Sequence, residues 1–204
     1  MKITNTASAL LLAGALVTSA CATQSDTQTG TAAGTDAGMA AGQQTTGDQG
    51  AALAAQDRTF AMQAASGGML EVQLGQLASQ KAANAQVRSF GQRMVTDHSQ
   101  ANQRLMQVAQ NKGLDLPTQM MPEHRAHLDM MAPLSGAEFD RMYMSHMIQE
   151  HNKDISSFEQ QTRSGQDPDL RSFAQQTLPT LRQHRELAQS IASSVGASQQ
   201  GTGE

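Results

Sequence analysis

Three histidines and one glutamate stand where apolar residues belong. Over residues 84–112, Val87, Met94, Ala101, Leu105 and Val108 recur with heptad-like spacing, and His98 falls on that seam between Met94 and Ala101. Over 135–165 the seam is Met144, Ile148, Ile155 and Phe158, and His151 shares it. Over 167–195 it is Leu170, Phe173, Thr177, Leu181, Leu187 and Ile191, interrupted by His184. Over 57–82 Glu71 lies on or beside a seam of Phe60, Ala64, Leu74 and Ala78. Four helical faces thus each offer one inward polar group. Three imidazoles and a carboxylate are the donors used for a single Zn, Fe or Cu ion, so Glu71, His98, His151 and His184 form the candidate metal site. The other reading is a buried polar layer that fixes helix register without chemistry.

Further residues invite weaker readings. Asp97 and Glu150 each precede a seam histidine and point about 100° away around the helix, as supporting partners of the ligands or as solvated flanks. The connector holds Met120, Met121, His124, His127, Met130 and Met131, a thioether and imidazole set that suits copper, Cu(I) above all. Methionine also packs helical bundles without binding anything. Gly67-Gly68 is too short for a phosphate loop and reads as close helix packing. No nucleophile elbow or paired catalytic carboxylate is present, so the expectation is a binding protein with no catalytic residues.

The elements that must position these groups have readable ends. One helix opens at Asp57; a second is capped by Asn84 and stops at Gly113. A third starts at a capping box, Ser135-Gly136-Ala137-Glu138, and ends near Gly165. A fourth takes Asp167 as cap with Pro168 at its first position and ends before Gly196. Breaks this short impose hairpins, so the expected fold is an all-α antiparallel four-helix bundle. Between the hairpins Pro117, Pro122 and Pro133 leave room for one short helix over 123–132. Counting at 1.5 Å per residue puts Glu71 and His98 each roughly 20 Å from the first turn. His151 and His184 lie about 21 and 25 Å from the second. All four can meet in one layer. An echo, Val87-Arg88-Ser89-Phe90 against Leu170-Arg171-Ser172-Phe173, suggests that the two hairpins are related. Pro179 inside the fourth helix is expected to bend it near His184.

Composition agrees with this class. Trp is absent, there is one Tyr, and 13 Met accompany abundant Ala, Gln and Leu, which leaves too few strand formers for a sheet. The net charge of −4, without a basic cluster, offers nothing to nucleic acid. Lys2 followed by the apolar run 7–18 reads as a removable signal over 1–20, too short to span a bilayer in the mature protein. It ends in Thr18-Ser19-Ala20-Cys21, similar to a bacterial lipobox, with Thr18 in place of the usual Leu. Cys21 is the lipidation candidate; a cut after Ala22 would instead release a soluble protein. The expectation is an exported, periplasmic lipoprotein, preferentially at the outer membrane, whose anchor is its membrane contact. Residues 21–55 are polar and low in complexity, a tether with a reach of roughly 30 Å. The folded part spans 56–195, and 196–204 is a tail. It contains no Cys, so disulfides and thiolate metal sites are excluded.

From Asp57 to Ile191 the chain resembles the bacterial domain-of-unknown-function family 4142. The carriers are Gly67-Gly68-Met69-Leu70-Glu71-Val72, Phe90-Gly91-Gln92-Arg93-Met94-Val95-Thr96-Asp97-His98, Leu134-Ser135-Gly136-Ala137-Glu138-Phe139-Asp140 and Leu178-Pro179-Thr180-Leu181-Arg182-Gln183-His184. The resemblance implies a ferritin-like fold and frequent export, and no established activity. Ferritin di-iron sites place a Glu three residues before a His, whereas Val95, Ile148 and Leu181 occupy those positions here. That departure argues for a mononuclear site over iron storage. The alternatives are a non-catalytic envelope or stress-associated interaction module with a structural His layer, and a periplasmic copper handler.

Overall fold

A computed structural model describes residues 53–197. The signal segment, Cys21, most of the tether and the tail beyond 197 lie outside the described residues. Five helices follow one another: α1 (Ala55–Lys81), α2 (Ala85–Asn111), α3 (Pro122–Met131), α4 (Gly136–Ser164) and α5 (Pro168–Val195). There are no strands among the described residues. α1 packs along α2 and α4 along α5, and the two pairs meet through α2 against α5 and α1 against α4. The short α3 lies on α1 and α4. None of these helices is long and apolar enough to cross a membrane.

The apolar interior falls into two bodies. One gathers Leu70, Leu74, Phe90, Met94, Tyr143 and Met147 with Ile191, and takes in Leu128 and Met131 of α3. The other gathers Phe60, Leu105, Ile155, Phe158, Phe173 and Leu181. α1 and α5 pass from the second body to the first, and α2 and α4 from the first to the second. Close to the crossing on each long helix stands a buried polar residue, His98, His151 or His184, and on α1 Glu71, just inside the first body. Apolar burial of about 1.5–3 kcal/mol per large side chain on either side locks the four at one height.

The α1–α2 contact depends on missing side chains. A Cβ on Gly75 would lie 2.7 Å from the Gly91 carbonyl oxygen, and one on Gly91 would lie 2.6 Å from the Ala78 Cβ. Neither obstacle can swing away, so the backbones touch only because both positions are glycine. Gly68 accommodates Asn102 of α2 in the same way, whereas Gly67 faces His124 of α3 at an ordinary 3.8 Å.

The helix ends show how the turns are held. Asn84 accepts from the Gln86 amide, and Asp167 accepts from the Asp169 and Leu170 amides, as their cap positions require. Ser135 makes no side-chain cap, so the expected capping box does not form; the entry to α4 instead bends through Gly136 at φ +63°, a left-handed conformation suited to glycine. α1 begins two residues before Asp57, whose carboxylate is fully buried and serves the other hairpin. It accepts from the backbone amides of Gln166 and Asp167 and from the Gln161 side chain. Asp140 of α4 reciprocates, accepting from the amides of Ala83 and Asn84 in the α1–α2 turn. Arg88 donates to the carbonyls of residues 82 and 83, and Arg171 to those of 165 and 166. One shift of 83 residues carries Asp57 onto Asp140 and Arg88 onto Arg171, so the short sequence echo marks equivalent turns.

Candidate metal centre

The layer between the two apolar bodies is buried. Glu71 and His98 are 3% and 5% exposed, and His151 and His184 are fully buried. His98 Nδ1 lies 2.7 Å from Glu71 Oε2, His151 Nε2 lies 3.3 Å from His184 Nδ1, and Glu71 Oε1 stands 3.7 Å from His151 Nε2. The ring centroids are 5.3–5.8 Å apart. One donor nitrogen from each histidine lies within 4.8 Å of the other two. The structure therefore brings together all four residues read from the helix seams.

The outer hydrogen bonds fix which nitrogen of each ring faces inward. His98 Nδ1 donates to a carboxylate, His151 Nδ1 donates to the Met147 carbonyl at 2.9 Å, and His184 Nε2 donates to Asp97 Oδ2 at 2.8 Å. Those acceptors carry no proton of their own, so each of these nitrogens is the N–H of its ring. In the neutral rings the remaining lone pairs sit on His98 Nε2, His151 Nε2 and His184 Nδ1. The close pair His151 Nε2 and His184 Nδ1 then lacks a proton to share. Supplying one would make an imidazolium, and burial opposes that: it pushes His151 down to about 4 and also lowers His184, where the neighbouring His98 adds to the effect. His98 Nε2 and Glu71 Oε1 have no hydrogen-bond partner at all. Burial alone would raise the Glu71 carboxyl, but the adjoining His98, with His151 and His184 behind it, outweighs burial and holds it at about 2. The centre sets an anionic carboxylate beside the facing nitrogens of His151 and His184, and its unsatisfied atoms each cost about 1–3 kcal/mol.

The family described as "Domain of unknown function (DUF4142)" matches residues 42–191. The chain belongs to this family. No curated protein matches it. A solved structure titled "Crystal structure of DUF305 fragment from Deinococcus radiodurans" resembles it with a TM-score of 0.62 at 14% identity, over 70% of this chain and 98% of that one. At that identity the likeness concerns the fold, a helical bundle, and nothing of activity.

In this DUF4142 domain one centre residue escaped the sequence reading. Asp154 of α4 stands beside Glu71, and burial together with the Glu71 and Glu150 charges raises its carboxyl well above the usual carboxylate range. Two signals pointed to it: it lies one turn beyond His151, and the 83-residue shift that relates the hairpins carries Glu71 onto it. The two flanking acids part company. Asp97 reaches the centre through His184 and is also bound by Arg93. Glu150 turns away, to Lys153 at 2.8 Å and His127 at 3.8 Å.

The six connector residues do not converge as a copper set. Met131 is fully buried in the core while Met130 is 48% exposed, Met120 packs against the first apolar body, and the backbone amide of Met121 donates to Ser66. His124 bonds the same Ser66 hydroxyl at 2.6 Å, and His127 faces α4. A groove of about 660 Å³ beside α1, α2 and α3 contains none of the centre's residues. A smaller cleft of about 320 Å³ does approach it, with Glu123, His127, Glu150 and Asp154 in its lining.

Proposed function

We propose that this protein binds a single transition-metal ion through His98, His151 and His184, with Glu71 as the carboxylate of the set, inside an antiparallel, ferritin-like bundle that is exported and tethered by a lipid on Cys21. The observation that carries the reading is the pair of imidazole nitrogens 3.3 Å apart whose rings each make a hydrogen bond through the other nitrogen, to Met147 and to Asp97. Adjacent donors in a tetrahedral site with bonds near 2.0–2.1 Å are separated by about 3.4 Å, so this spacing suits a shared cation. Glu71 and Asp97 fit the second part of such a design, a carboxylate on the far nitrogen of a ligating ring that sets its tautomer and orientation. The opposed directions of neighbouring long helices, visible in how they traverse the two apolar bodies, support the ferritin-like arrangement. Three imidazoles with Glu71 favour Zn, Fe or Cu over Ca or Mg.

The test is metal analysis of protein purified without an affinity tag, beside His98→Ala and His151→Ala. One equivalent in the wild type, lost in both variants, with a lower melting temperature after chelation, is the expected result. Absence of stoichiometric metal together with melting that chelation leaves unchanged would sink the reading.

A further inference from the structure

A second donor set stands apart from the four centre residues. His146 and Glu150 lie four residues apart on one face of α4, a spacing that aims both side chains at the same point. His127 of α3 reaches that point from across the cleft, its ring centroid 4.6 Å from that of His146 and nearly perpendicular to it. One donor atom of each residue lies within 4.8 Å of the others. His146 is 6% and Glu150 7% exposed, and neither His146 Nε2 nor His127 Nδ1 has a hydrogen-bond partner. Two buried or half-buried imidazole nitrogens left bare beside a carboxylate are unfavourable unless something occupies the space. Among the described residues, Lys153 pairs with one oxygen of Glu150 at 2.8 Å while its own side chain stays 65% exposed.

We infer that His127, His146 and Glu150 form a second transition-metal site, which takes a divalent ion of the Zn, Co, Ni or Cu class and clamps α3 to α4 at the cleft. Two imidazoles and one carboxylate exclude the hard cations Ca and Mg, and three protein donors leave a coordination position open to water on the cleft side. The donors must close by up to about 1.4 Å to reach tetrahedral spacing. α3 can supply that movement, because it has only ten residues and is anchored by two buried side chains, Leu128 and Met131. This site does not depend on the one formed by His98, His151 and His184.

Zinc titration of the untagged full chain, followed by calorimetry and by hydrogen exchange, tests the assignment. The wild type is expected to take up two equivalents, and zinc is expected to slow exchange of the α3 amides. His127→Ala, at a half-exposed position, and the isosteric Glu150→Gln are expected to lose one equivalent and that slowing while remaining folded. His151→Ala is expected to lose the other equivalent and keep the slowing. Two equivalents retained in both His127→Ala and Glu150→Gln overturn the second site. So does a single wild-type equivalent that only His151→Ala removes, an outcome that leaves the interior centre standing. A single equivalent removed only by His127→Ala upholds the second site and defeats the interior one.

Discussion

An imidazole offers a metal only the nitrogen that its other hydrogen bond leaves bare, so the acceptors around these rings matter as much as the rings. Asp97 illustrates this. Its carboxylate is 27% exposed and holds His184 Nε2, which turns Nδ1 toward His151. Asp97→Ala is expected to weaken metal binding about 10–100-fold while barely moving the melting temperature of the metal-free protein, since water replaces the lost acceptor. Competition titration against a chromogenic chelator reads the first effect and a thermal scan the second; unchanged affinity would show that Asp97 does not orient the ring. The histidines were legible in the sequence because each interrupts an apolar seam, and their heights followed from counting residues to a turn. Asp154 was not, because a carboxylate one turn beyond a histidine is common on exposed helix faces and only the packed neighbour, Glu71, gives it meaning. The set on His127, His146 and Glu150 was illegible for another reason: periodicity reveals which face α3 buries, through Leu128 and Met131, but not the direction in which a ten-residue helix crosses its neighbours.

At the scale of elements, the local signals read well and the distant ones did not. Asn84 and Asp167 accept from amides within three residues, and Pro168 simply occupies the first helical position, all of which a sequence displays directly. Asp57 acts on amides more than a hundred residues away, and so its place in the first turn of α1 looked like an ordinary helix start. Its removal has a definite consequence. Asp57→Ala leaves the amides of Gln166 and Asp167 and the Gln161 side chain without their acceptor, and is expected to cost about 2–4 kcal/mol. Urea unfolding measures it, and a loss below about 1 kcal/mol would mean that water serves those groups equally well. Likewise Ser135 matched a capping box by residue type, but the left-handed entry at Gly136 gives the chain a different path, which the spacing of the motif does not encode.

For the molecule as a whole, composition had already argued against a sheet, and the described residues form none; the family match ends at residue 191, as the resemblance read from sequence does, but begins at 42, earlier than Asp57. The proposed anchor makes its own prediction. If Cys21 is acylated, the wild-type protein expressed in a bacterial envelope partitions into the detergent phase with the added mass of lipid, and Cys21→Ser does not. Identical aqueous partitioning of both, with a mature mass that begins at Thr23, would establish the soluble alternative.

The exchange of aspartates between the turns bears on how such a molecule came to be. Each half completes the bend of the other, which is the relation expected of two identical subunits fused in tandem. The 83-residue correspondence preserves that frame yet places Leu181 opposite His98, Ala101 opposite His184 and Gly68 opposite His151, while Glu71 and Asp154 remain counterparts. The turn aspartates and the two acids Glu71 and Asp154 obey this correspondence and the imidazoles do not, so the histidine layer breaks the internal symmetry of the scaffold that holds it.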